Sequence, residues 1–181
     1  MRTLVCAFAY VLAALAPAAA DQTDPRLDTL FEELRVGDAI RAEENVRRIV
    51  EIWSDSQSDT VDILYARAKA SADSGGFELS SAILDHVVGL APNFAQGYAL
   101  RGVVRLAMDD RSGAVEDFSK VIELEPRHFE VRMALAGILY AGDELRAAYD
   151  MYQKVLEWNP HDERARSQAR ILRRELDGQE I

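Results

Sequence analysis

Three histidines, His86, His128 and His161, are the side chains best suited to proton transfer or zinc binding near neutral pH. Their spacing supports neither. No two of them form an HxxxH or HExxH pair, so no helix turn offers two imidazoles to one metal. His128 and His161 follow a proline by one or two residues, which places them in turns, and His86 lies beside Asp85 on a helix. Acidic residues are plentiful, yet no pair sits in apolar surroundings that would raise one pKa for acid–base work. The serines lack a GxSxG elbow, and Gly75-Gly76 reads as a turn and not as a phosphate loop. No catalytic residue, cofactor or metal is expected, and the chain is read as non-enzymatic.

The regular spacing in this sequence is structural. Pro92, Pro126 and Pro160 recur at a period of 34, and Leu84, Phe118 and Tyr152 keep the same step, as do Val87, Val121 and Val155. Within Ala95 to His128, one helix carries Tyr98, Gly102 and Arg105 at steps of four and three. A second carries Ala114, Phe118, Val121 and Ile122 at i, i+4, i+7 and i+8. Small residues at Gly102 and Ala114 let the two backbones approach, Phe118 fills the space below, and Pro126 ends the second helix. A helix pair repeated with this period resembles the tetratricopeptide repeat (TPR). The resemblance implies an all-α, right-handed solenoid of antiparallel helix pairs, each burying its neighbour's apolar flank. It divides the chain into three repeats, 61–94, 95–128 and 129–162, followed by a C-terminal cap helix over 163–176. Arg101 and Arg132 depart from the family pattern, which expects Leu and Trp there.

Ahead of the repeats, residues 21–56 read as a degenerate TPR-like helix pair. Asp24-Pro25 starts it, Leu27, Leu30, Phe31 and Leu34 form one stripe, and Ala42, Val46, Ile49, Val50 and Trp53 form the next. Residues 1–20 have the layout of a signal peptide: Arg2, a short apolar run from Leu4 to Ala16, then Ala18-Ala19-Ala20. That run is shorter than the roughly 20 residues of a membrane span. With the alanine-rich leader, the resemblance implies a periplasmic protein of a Gram-negative bacterium, with no membrane span once the leader is cleaved. Cleavage would remove Cys6, the one cysteine, and Arg2, taking the formal charge from −10 to −11. So acidic a chain is repelled by nucleic acid, which is excluded as a partner.

In the family, the first (A) helix of each pair lines a concave groove where ligands bind. Carried onto this sequence, the groove residues are Tyr65, Lys69, Ala99, Val103, Leu106, Met133 and Tyr140. The middle of that strip is apolar, which suits a peptide or an amphipathic helix. Alternatively, the chain's own N-terminal pair or C-terminal helix packs over it. The clamp that some family members use for peptide carboxylates needs several cations and asparagines. Tyr65, Lys69, Val103, Glu130 and Ala134 stand at those places, so one cation remains and clamp recognition is not expected. The resemblance thus implies a scaffold for a protein or peptide partner, acting in the groove. The alternative is an assembly subunit of an envelope complex that uses its convex or end surfaces.

Overall fold

The computed structural model describes residues 23–179, so the leader expected over 1–20 lies outside the described residues. The chain forms helices α1 (Arg26–Val36), α2 (Ala39–Trp53), α3 (Asp59–Asp73), α4 (Phe77–Leu90), α5 (Ala95–Ala107), α6 (Arg111–Leu124), α7 (Phe129–Ala141), α8 (Leu145–Trp158) and α9 (Glu163–Gln179). Side-chain oxygens start several of them. The Asp24, Asp38, Asp110 and Asp162 carboxylates accept from the amides of Arg26, Arg41, Gly113 and Ala165 at 2.7–3.0 Å.

Helix pairs α3–α4, α5–α6 and α7–α8 are the three repeats, and α9 packs on α8 as the cap. Each A helix stops on a residue in the left-handed region: Gly75 (φ 82°), Asp109 (φ 63°) and Asp143 (φ 62°), which stand at one repeat position. The next amide then reaches back to close the helix, Gly76 to the Ser71 carbonyl, Asp110 to Arg105 and Glu144 to Leu139. Inside the second pair, a Cβ on Gly102 would lie 2.4 Å from Cε1 of Phe118, so only glycine admits that ring. The cap helix runs to Gln179, beyond the expected end at Leu176. Asp177 to Gln179 are therefore helical.

The two departures from the family pattern are each compensated. The Arg101 guanidinium binds Asp117 of α6 (2.7 Å) and Asp85 of α4 (2.8 Å), joining two repeats. Arg105 holds the other Asp117 oxygen at 2.9 Å. Arg132 donates to the Pro126 carbonyl at 2.6 Å, fastening the turn behind its own helix.

The N-terminal pair does not continue the stack. α1 and α2 share a core with α7, α8 and α9 and barely touch α3. Register gives the physical reason. Trp53 stands one full period before Val87, and Ile63 one full period before Gly97. Val87 Cγ1 is already 3.0 Å from where a Cβ on Gly97 would be. A tryptophan facing an isoleucine at the equivalent junction would overfill it.

Candidate functional site

Helices α3, α5 and α7 together line a pocket of about 170 Å³. Its walls are Tyr65 from α3, Gln96, Ala99, Leu100 and Val103 from α5, and Glu130, Val131 and Ala134 from α7, with Phe118 and His128 behind. Of the groove residues read from sequence, Tyr65, Ala99 and Val103 meet here. Val103 is 52% exposed and Tyr140, further along α7, is 42% exposed, which leaves apolar surface open beyond the pocket. Lys69 points to solvent and pairs with Asp73 at 2.9 Å. Leu106 packs into the core of the second repeat, and Met133 packs against the core shared with α1 and α2.

The polar groups at this pocket are tuned by burial. Tyr65 stands edge-on to Phe94 with ring centroids 5.3 Å apart. Burial, with the charges of Glu130 and Asp73 adding to it, pushes its phenol up to about 12. Surrounding protein raises the Glu130 carboxyl as well, although the side chain keeps solvent contact. His128 lies in the turn before α7, as its sequence position requires, but it is buried and not a surface residue. Its Nδ1 accepts from the Val131 amide, so Nε2 carries the proton and donates to Gln96 Oε1 at 2.9 Å. Burial drives its pKa down to about 3, which keeps the ring neutral.

The N-terminal pair closes one end of this site. Trp53, the last residue of α2, stacks on His128 with centroids 4.2 Å apart and planes 15° from parallel. Its Nε1 reaches the buried Glu125 carboxylate at 3.4 Å. Glu125 also takes Arg127 at 2.9 Å, and Arg127 reaches Asp28 of α1 at 2.7 Å and lies over the Phe31 ring. Phe31 in turn meets Phe129 and Trp158 edge-on. The hairpin thus sits across the turns at Pro126 and Pro160, with its C-terminal end beside the A-helix pocket. Two wider clefts of about 600 and 670 Å³ follow this seam, and their walls carry charges of both signs.

Asp117 and Glu125, 2% and 1% exposed, are acids whose importance sequence reading missed. Glu125 shares its repeat position with Ala91 and Asn159, so periodicity gives it no distinction. Both serve arginines: Asp117 binds Arg101 and Arg105, and Glu125 binds Arg127. Among the described residues, no group of three or more His, Cys, Asp or Glu is placed to hold a metal ion. No described helix is long and apolar enough to cross a membrane.

Known proteins agree on the fold. Residues 105–171 match the sequence profile of the tetratricopeptide repeat. A TPR repeat-containing protein of Rhizobium etli is 27% identical over 154 residues, covering 84% of this chain and 76% of that protein. Among solved structures, the Yersinia enterocolitica type III secretion chaperone SycD, in complex with a peptide of the translocator YopD, superposes with a TM-score of 0.61. It is 19% identical and covers 65% of this chain and 95% of its own. The first TPR of Spaghetti, bound to an HSP90 peptide, gives a TM-score of 0.60 at 15% identity, covering 65% of this chain and 93% of that one.

Proposed function

This chain is a tetratricopeptide-repeat protein, and from that premise we propose that it is a non-enzymatic scaffold of the periplasm. It holds a peptide or amphipathic helix of an envelope protein against the A helices α3, α5 and α7. The observation that carries this reading is the open apolar surface at Val103 and Tyr140 beside the pocket at Tyr65 and Ala99. An exposed apolar strip with a polar rim is how an interaction surface presents itself. The peptides bound to SycD and to Spaghetti support the same use of the fold. The missing clamp cations argue for a ligand held by its apolar side chains and not by a terminal carboxylate. The alanine-rich segment before Asp21 supports export, and the mass of the mature protein recovered from the envelope tests it.

The groove is tested by affinity capture from the envelope fraction with wild type and with Val103→Asp combined with Tyr140→Ala. A partner recovered by wild type and lost from the double variant supports the groove. Equal recovery by both proteins sinks it.

A further inference from the structure

We propose that the outer face of α3 docks an amphipathic helix of another protein, one presenting an acidic side chain and a small residue on its binding strip. The molecule contains its own template for that contact, one repeat further along. There α4 lies against α5. Asp85 Oδ1 accepts from Arg101 Nη1 at 2.8 Å, and Val87 and Val88 methyls stand 3.0 and 3.5 Å from where a Cβ on Gly97 would be. Val104 is buried by the same junction. One period earlier, those α5 positions are Ile63, Arg67 and Ala70 of α3. All three are exposed, Ile63 at 69%. The helix that chain order would place over them, α2, is engaged at the turns instead.

Charge and size define the missing helix. Arg101 divides its guanidinium between Asp85 behind it and Asp117 ahead. The residue one period before Asp117 is Ile83, so Arg67 has no acid ahead of it. It has no ion-pair partner among the described residues, and an acid arriving from behind completes it. Ile63 fills the space that Gly97 leaves open, so the incoming helix needs alanine or glycine where α4 has Val87. Of the described helices of a second copy, the B helices and the cap do not supply it. α6 and α8 expose mixed-charge strips, α9 exposes Arg170, Arg173 and Arg174, and the one acid suitably placed on α4 is held by Arg101.

The probe is a fluorescein-labelled peptide of residues 77–90 with Val87→Ala, cross-linked on its solvent face to hold it helical. It is titrated against the full chain. Expected are saturable binding, NMR shifts at Ile63, Arg67 and Ala70, and a loss of about tenfold or more on Arg67→Glu. A peptide carrying Asp85→Arg should restore binding to that variant. Absence of saturable binding overturns the proposal, as does equal affinity for Arg67→Glu. Shifts at Gly97 and Arg101 would mean that the peptide displaces α4, which also overturns it. So does a concentration-dependent dimer in sedimentation velocity that Ile63→Asp abolishes, because the face then belongs to a second copy. Val103→Asp with Tyr140→Ala leaves the expected binding unchanged, so this result stands or falls apart from the groove.

Discussion

The interior of the α5–α6 pair and the seam under the N-terminal hairpin are both buried, but they are held by different means. In the pair, glycine faces phenylalanine: Gly102 leaves room that Phe118 fills, with Ala114 and Val121 closing around it. At the seam, Trp53 stacks on His128, Phe31 and Phe129 meet Trp53 at tilted angles, and Glu125 and Arg127 bind one another and the hairpin. The first is apolar fit between residues close in sequence, and the second joins residues from opposite halves of the chain. Close packing of neighbours in sequence makes each repeat complete with its flanks. The seam adds a hairpin whose apolar residues join the core of the third repeat and the cap.

The largest effect should fall in the pair. Phe118→Ala removes a fully buried ring from a space that glycine and alanine cannot refill, and should cost about 3–5 kcal/mol. Urea denaturation should show the whole repeat region losing stability together. A loss confined to α5 and α6 by hydrogen exchange would break the view that stacked repeats share one core.

Trp53→Ala removes a similar area but should act locally. Truncating a buried tryptophan costs about 3–5 kcal/mol, though here the loss cannot exceed what holds the hairpin in place. Amides of α1 and α2 should then exchange freely while those of α3 to α9 stay protected. Should α1 to α9 lose protection in one step, the seam and the stack are a single cooperative unit and the contrast drawn above disappears.

The same contrast explains what can be read from sequence. The pair interiors are legible because Leu84, Phe118 and Tyr152 repeat at one period, and Gly102 stands where only a close approach makes sense. The seam is not. Trp53 and Glu125 are far apart in sequence, and nothing in the spacing of either names the other. The stripe on α2 shows that the helix has an apolar face to bury, but an apolar face does not identify its cover. Trp53 reads as one more residue of that stripe, whereas the structure seats it on His128 behind the Pro126 turn, away from Ile63, where its bulk would overfill the junction. Of the groove, the strip at Tyr65, Ala99 and Val103 follows from family register. The engagement of Met133 with the core shared by the hairpin does not, because it depends on where α1 and α2 settle.

A smaller effect should come from acidification of the seam. His128 has its pKa lowered to about 3 in the fold, against about 6.5 when unfolded. Between those values the unfolded chain takes a proton that the folded chain refuses. Stability is therefore lost as pH falls below about 6.5, by on the order of 2 kcal/mol at pH 5. Glu130, raised in the fold, works in the opposite sense, so the measurement is the difference between wild type and His128→Gln. Urea midpoints at pH 7 and pH 5 should converge in the variant relative to wild type. Parallel shifts in both proteins would mean that the imidazole is already charged, or open to solvent, beneath Trp53.

The smallest effect belongs to the residue that made the repeats visible. Pro126 marks the period, yet it is exposed, and α6 ends at Leu124 before reaching it. Its contribution lies in what it forbids: a continued helix, and a wide range of backbone angles in the unfolded chain. Alanine at 126 keeps the carbonyl that accepts from Arg132 at 2.6 Å, and leaves the Glu125 to Arg127 bonds in place. Pro126→Ala should then cost under about 1 kcal/mol, mostly through added freedom of the unfolded state. The position also joins the two regions compared above, since Glu125, Arg127 and His128 flank it and all face the hairpin. A loss well above that figure, accompanied by exchange in α1 and α2, would show that the fixed proline angle holds the seam in register and not merely the end of α6.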